Sequence, residues 1–232
     1  FLSDFDRLDF IDRLGRVCEN GAAAVYAWCL MTNHFHLAIR TGNRSLAGTM
    51  RRLMTGYAVS FNRRHKRAGH LFQNRYKSTV VEDERYFLAL VRYVHLNPVR
   101  AGMVKDVTGL SEYRWTGHMA LLGKERHPWQ DADEVLSRFG SRAGRARREL
   151  ENFMKMSKGA EDEAVFGGGG LVRSMGGRDA VAKRAKDDKW AYDERILGSG
   201  GFVEAVLKRT QKPEIVRGLT KEEAWASFER LV

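Results

Sequence analysis

Two apolar runs, residues 22–30 (AAAVYAWCL) and 34–40 (HFHLAIR), are separated only by Met31, Thr32 and Asn33. A link that short suits a hairpin, so the runs are predicted to be paired antiparallel strands. Around them the apolar spacing is helical. Residues 3–21 open with Ser3 as an N-cap, place Phe5, Leu8, Ile11 and Leu14 or Val17 on one stripe, and can end at Gly21. Residues 46–65 carry Leu46, Met50, Leu53, Met54, Tyr57 and Phe61 in a second stripe. The stretch LFQNRYKSTVV reads as extended, and EDERYFLALVRYVHLN as a helix that stops near Pro98, because the residue before proline is pushed from helical geometry.

Residues 4–97 therefore run α-β-β-α-β-α. With one strand placed in front, the first five elements become β-α-β-β-α-β, the ferredoxin-like order. The expected class is α+β: a ferredoxin-like antiparallel sheet with helices on one face. Its N-terminal strand is expected before Phe1, which fits a chain that does not begin with Met. That strand is an inner one, so its loss would leave a gap in the sheet and unpaired edges.

After residue 122 the pattern changes to short helical units. DADEVLSRFG and RAGRARRELENFMKMSKG read as helices, GGGG at 167–170 as a flexible break, and further helices are expected near 200–209 and from Thr220, where Glu223 has capping-box spacing. The expected division is a catalytic domain over 1–122, a helical extension over 123–166, a glycine linker, and a small helical region over 171–232 that could belong to a DNA-binding module.

The 232 residues suffice for one domain with a sizeable core and something smaller beside it. The net charge of +11 points to an anionic partner, usually nucleic acid. Residues 51–114 hold 13 Lys and Arg against 5 Asp and Glu, while residues 1–50 are balanced. Two cysteines make neither a disulfide framework nor a metal knuckle, and a reducing cytoplasm is the simplest reading. No apolar run approaches the roughly 20 residues of a membrane span.

Three features carry chemistry. Alternate residues of a strand share a face, so His34 and His36 project together and Phe35 projects into a core. Two neutral imidazoles on one face can hold a divalent metal; they can equally be polar side chains on a wet sheet face. Tyr93 and Asn97 are four apart and share a helical face, with Tyr86 near it, while His95 lies off it and reads as a surface residue. A phenol, with a pKa of about 10, becomes a useful nucleophile where a metal polarises its electrophile. Between these, RRHKRAGHLFQNRYKS interleaves basic residues with Phe72 and Tyr76, a pattern suited to phosphates and unpaired bases.

YAWCLMTNHFHLAI, GHLFQNRYKS and YFLALVRYVHLNPVRAGMV, in this order and spacing, resemble the REP-associated tyrosine transposases of the single-tyrosine HUH superfamily. The resemblance is strong over residues 4–122 and looser beyond. It implies a ferredoxin-like enzyme that nicks and rejoins single-stranded DNA bearing a hairpin. His34 and His36 would be metal ligands, Asn97 would complete the metal site, and Tyr93 would be the nucleophile. The implied cofactor is Mg2+ or Mn2+, with nitrogen ligands favouring Mn2+. Candidate phosphate contacts are Arg51, Arg52, Arg63, Arg64, Arg75, Lys77 and Arg100. No membrane or small-molecule substrate is expected, and the implied location is the bacterial nucleoid. A catalytically inactive DNA-binding protein of the same fold is the alternative, and a metal nuclease that does not use Tyr93 a weaker third.

Overall fold

A computed structural model of the chain describes residues 1–156, 195–210 and 229–230. The elements are α1 (Asp4–Cys18), β1 (Ala23–Leu30), β2 (His34–Thr41), α2 (Leu46–Arg64), β3 (Val80–Val81), α3 (Asp83–Arg100), α4 (Val107–Leu110), α5 (His118–Leu121), α6 (Ala132–Ser137), α7 (Ala143–Lys155), β4 (Ile196–Leu197), α8 (Gly200–Thr210) and β5 (Glu229–Arg230). The mixed α+β class is as expected. The glycine run at 167–170 and the helix expected from Thr220 lie outside the described residues.

The hairpin forms where its apolar runs place it. β1 and β2 pair antiparallel with Trp28 opposite Leu37, Cys29 opposite His36 and Leu30 opposite Phe35. The Met31 N–H closes the turn on the His34 carbonyl at 2.8 Å. A bulge between Val25 and Ala27 shifts the register, so Tyr26 and Ala27 both enter the same core.

Both faces of the hairpin are covered, which is why its strands read as nearly continuous apolar runs. On one face Val25, Trp28, Leu30, Phe35, Leu37 and Ile39 pack under α1 and α2. On the other, Tyr26, Ala27, Cys29 and Ala38 pack under α3, and Leu150 and Met154 of α7 join this second core. The outer edge of β1 is also covered: the Leu30 N–H donates to the Trp115 carbonyl and the Gly117 N–H to the Trp28 carbonyl. β5 makes a two-residue antiparallel pairing with His34 and Phe35 on the other edge of the hairpin.

The third strand departs from the ferredoxin-like expectation. Val80–Val81 does not join β1 and β2 but pairs in parallel with Ile196–Leu197. The Glu82 carboxylate secures the alternative pairing by accepting from the Ser199 N–H at 2.7 Å and the Ser199 hydroxyl at 3.0 Å.

α1 also packs on a different face from the one its apolar spacing predicts. Phe10, Leu14 and Val17 are buried, while Phe5 and Leu8 are largely exposed. The buried face begins one turn earlier at Asp6, whose carboxylate is fully buried. Asp6 accepts from the N–H groups of Leu2 and Ser3, completing a capping box with Ser3, and binds Arg64 and His65 from the end of α2. Burial disfavours its charge, but His65, the Leu2 N–H and Arg64 outweigh that and lower its pKa to about 2.

Candidate active site

His34, His36 and Ala38 alternate with Phe35 and Leu37 along β2. Phe35 fills the α1–α2 core and the imidazoles face α3. The face is not wet: His36 is 4% exposed. Its Nε2 lies 3.1 Å from His34 Nε2, and His34 Nδ1 lies 2.9 Å from Asn33 Oδ1. Burial, then the neighbouring His34 and Arg100, lower the His36 pKa to about 3. The ring is therefore neutral throughout the physiological range, the state a metal ligand requires.

α3 crosses this face. The Tyr93 ring stands edge-on to that of His36, with centroids 6.1 Å apart and planes at 89°. Asn97 and Arg100 follow on the same helical face. The helix does not stop before Pro98 but continues to Arg100 with Pro98 inside it. A proline there deprives the Val94 carbonyl of its usual N–H donor. The Asn97 amide takes over: its Nδ2 donates to the Tyr93 carbonyl at 2.7 Å and the Val94 carbonyl at 3.3 Å. Arg100 Nη1 also donates to the Tyr93 carbonyl at 3.0 Å, and its guanidinium carbon lies 4.8 Å from the Tyr93 ring centroid. Pro98 is thus tolerated because two side chains satisfy the carbonyls around it, and the same bonds fix Asn97 and Arg100 beside Tyr93.

The donor set fits a divalent ion. Two nitrogens each about 2.1 Å from one ion and at right angles around it are about 3.0 Å apart, close to the 3.1 Å between the two Nε2 atoms. With its Nδ2 committed to the backbone, Asn97 would present Oδ1. Among the described residues no group of three or more His, Cys, Asp or Glu forms a metal cluster, so the imidazole pair stands without a carboxylate.

The candidate basic residues divide between separate surfaces. Arg51 and Arg75 line a groove of about 800 Å³ with Phe72 and Tyr76, and Lys77 is exposed on the same loop. Arg52 lines a different pocket, against α1. Arg63 is exposed near Phe5 and Asp9. Arg64 binds Asp6 and Asp9, its Nη2 to Asp9 at 3.0 Å, and so ties α2 to α1. Arg100 reaches Tyr93, a contact its spacing seven residues on from the tyrosine could have signalled.

His95 is not a surface residue. It is fully buried, with its ring 5.7 Å from that of buried His118. No local pattern signals His118 as its neighbour, since the two lie on separate elements. Of the other tyrosines, Tyr86 is buried, and the Tyr113 hydroxyl donates to the Leu30 carbonyl at 2.9 Å. Cys18 and Cys29 are buried free thiols, and among the described residues no helix is long and apolar enough to cross a membrane.

The sequence model of the family described as "Transposase IS200 like" matches residues 2–97. That span contains the hairpin, α2 and the part of α3 that carries Tyr93 and Asn97. Comparison with curated proteins and with solved structures gave no match. Over residues 2–97 the chain is thus similar to the IS200-like transposases, a likeness that supports a role in DNA transposition.

Proposed function

We propose that this protein is a DNA transposase that nicks and rejoins single-stranded DNA through Tyr93, at sites next to a hairpin of the REP type. The observation that carries the reading is the meeting of Tyr93 with the His34–His36 pair beneath α3, with Arg100 against the tyrosine ring. The Tyr93 oxygen attacks the scissile phosphorus and loses its proton. The bond from phosphorus to the 3′ oxygen breaks, and that oxygen leaves as a 3′-hydroxyl. The product is a 5′-phosphotyrosine, whose phosphodiester energy is retained. A second 3′-hydroxyl then reverses the step, joining two strands without a nucleotide triphosphate.

His34, His36 and the Asn97 amide oxygen would hold Mg2+ or Mn2+, which as a Lewis acid supplies polarisation of the phosphate. Burial keeps His36 neutral for that role. Arg100 is placed to neutralise charge developing on the phosphate next to Tyr93. Arg51, Arg75 and Lys77, with Phe72 and Tyr76 in the same groove, would hold single-stranded DNA by phosphate contacts and base stacking. The catalytic unit is residues 1–122, the extension that follows it is helical at Ala132–Ser137 and Ala143–Lys155, and the protein acts at the nucleoid.

The test is incubation with hairpin-bearing single-stranded oligonucleotides and Mn2+, followed by denaturing electrophoresis. A denaturant-resistant protein–DNA adduct is expected, and it is lost in Tyr93→Phe, His34→Ala and His36→Ala. Cleavage that survives Tyr93→Phe would instead indicate a metal nuclease. Tight binding without an adduct would indicate a DNA-binding protein.

A further inference from the structure

His95 is fully buried on α3, and His118, the first residue of α5, is 2% exposed. Their rings meet edge-on, with centroids 5.7 Å apart and planes at 63°. Neither nitrogen of His95 nor Nδ1 of His118 has a hydrogen-bond partner among the described residues. Burial, then Lys124, lowers the His118 pKa to about 4, and burial, then His118, holds that of His95 well below its ordinary value. The contact is therefore between two neutral rings. A buried polar group without a hydrogen bond costs stability, and an apolar side chain of similar volume would serve a core better. Such a local penalty is typical of a place kept for its geometry.

His118 follows a short segment fixed to β1. Thr116 forms an antiparallel bridge with Cys29, its hydroxyl donates to the Trp28 carbonyl at 3.0 Å, and the Gly117 N–H donates to the same carbonyl at 3.0 Å. Cys29 is in turn the strand partner of His36. On α3, Tyr93 and His95 are two residues apart and so leave the helix about 200° apart. Tyr93 meets the His36 ring while His95 meets the His118 ring. The contacts thus close a circuit: His36 to Cys29, Cys29 to Thr116, along the chain to His118, across to His95, along α3 to Tyr93, and back to His36. Two ring contacts on opposite sides hold α3, and both lead to the same pair of strands.

We infer that the His95–His118 contact sets the rotation of α3 over the hairpin, which makes His95 and His118 positioning residues for Tyr93. His118 lies outside the residues 2–97 matched by the family model. That Tyr93 is a nucleophile rests on the nicking reading above; that His118 governs the place of its ring does not. Loss of the contact frees α3 to turn, and a displacement of about 1 Å at a reacting atom is enough to slow a reaction about 10²-fold.

The test incorporates 3-fluorotyrosine, assigns the Tyr93 resonance with Tyr93→Phe, and follows it by 19F NMR in the protein without DNA. The His36 ring, edge-on at 6.1 Å, makes that resonance sensitive to the rotation. His118→Leu changes nothing on α3 or β2, yet it is expected to shift the resonance. It should also slow adduct formation with a hairpin oligonucleotide and Mn2+ about tenfold to 10²-fold at unchanged affinity. His95→Leu/His118→Leu should slow the step no further than either single substitution, because both act through one contact. If His118→Leu does not melt cooperatively, His118→Gln, which keeps polarity without the ring, is read in its place with the same expectation. An unchanged Tyr93 resonance in a folded His118 variant overturns the inference, whether or not wild type forms an adduct. So does a shifted resonance with an adduct rate equal to that of wild type, or a rate that falls only in step with affinity. A shifted resonance in a protein whose wild type forms no adduct refutes the nicking reading and leaves the positioning of Tyr93 standing.

Discussion

Tyr93 on α3 stands edge-on to His36 on β2, with ring centroids 6.1 Å apart, and the Arg100 guanidinium, two helical turns further on, lies 4.8 Å from the same ring. The arrangement places a positive charge against the ring of the tyrosine proposed to attack phosphorus. Arg100→Ala is expected to lower the rate of adduct formation about 10²-fold, as for loss of one charge-stabilising donor. Arg100→Lys should recover only part of it, because an ammonium cannot both donate to the Tyr93 carbonyl and cover its ring as the planar guanidinium does. Single-turnover kinetics on a labelled oligonucleotide measures this, and an Arg100→Ala enzyme at wild-type rate would remove Arg100 from the site.

Asn97 serves the helix as well as the proposed metal. Its Nδ2 satisfies the Val94 carbonyl that Pro98 leaves without an N–H. Asn97→Ala should therefore cost about 1 kcal/mol of stability, the size of a typical internal hydrogen bond, and should also abolish adduct formation. Asn97→Ala/Pro98→Ala restores a backbone donor for Val94 and is expected to regain stability but not activity. Urea unfolding read beside the adduct assay separates the two effects.

Much of this arrangement was legible in the sequence, and the failures have physical causes. Strand alternation was enough to put His34 and His36 on one face and Phe35 on the other, and helical spacing grouped Tyr93 with Asn97. What escaped were places where a polar residue is buried or a breaker is compensated. Asp6 heads the buried face of α1, so an apolar stripe could not reveal that face. Pro98 sits inside α3 because side chains replace its missing bond. His95 is fully buried against His118 of a distant element, which no local pattern reports. The partner of β3 comes from residues 196–197, beyond the reach of any local periodicity.

Three buried histidines make stability depend on pH. Burial, aided by His34 and Arg100, lowers the His36 pKa to about 3; burial and then Lys124 lower that of His118 to about 4; burial and then His118 hold that of His95 well below its ordinary value. Unfolded histidine takes a proton near pH 6.5, so below that pH the unfolded chain binds more protons. Their contribution is complete above about pH 6.5 and is lost as pH falls toward the folded values, by up to about 1.4 kcal/mol per pH unit for each ring. Thermal melts from pH 7.5 to 4.5 should show Tm falling, with a shallower fall in His118→Leu. A flat profile would mean that these rings protonate in place.

Asp6 holds the opposite end of the fold. It caps α1 and ties it to Arg64 and His65 of α2 from a fully buried position. Asp6→Ala should cost about 3 kcal/mol, because it leaves Arg64 without one of its two carboxylates and leaves the N-cap unpaired. Its carboxylate is charged above the unfolded value of about 3.9, and the stability it adds is lost as pH falls through about 2. Guanidinium unfolding at neutral pH measures the loss, and a change below about 1 kcal/mol would contradict a buried pair.

The central claim is that Tyr93 forms the covalent bond to DNA, and peptide mapping tests it most directly. Arg92 and Arg100 bracket the segment YVHLNPVR, so trypsin releases Tyr93 on its own peptide, apart from Tyr86 and Tyr113. After reaction with a hairpin oligonucleotide, nuclease trimming and digestion, mass spectrometry should find the residual 5′-nucleotide on residues 93–100 and on neither peptide carrying the other two tyrosines. A nucleotide on the Tyr86 or Tyr113 peptide, or cleaved DNA with no modified peptide, would contradict it.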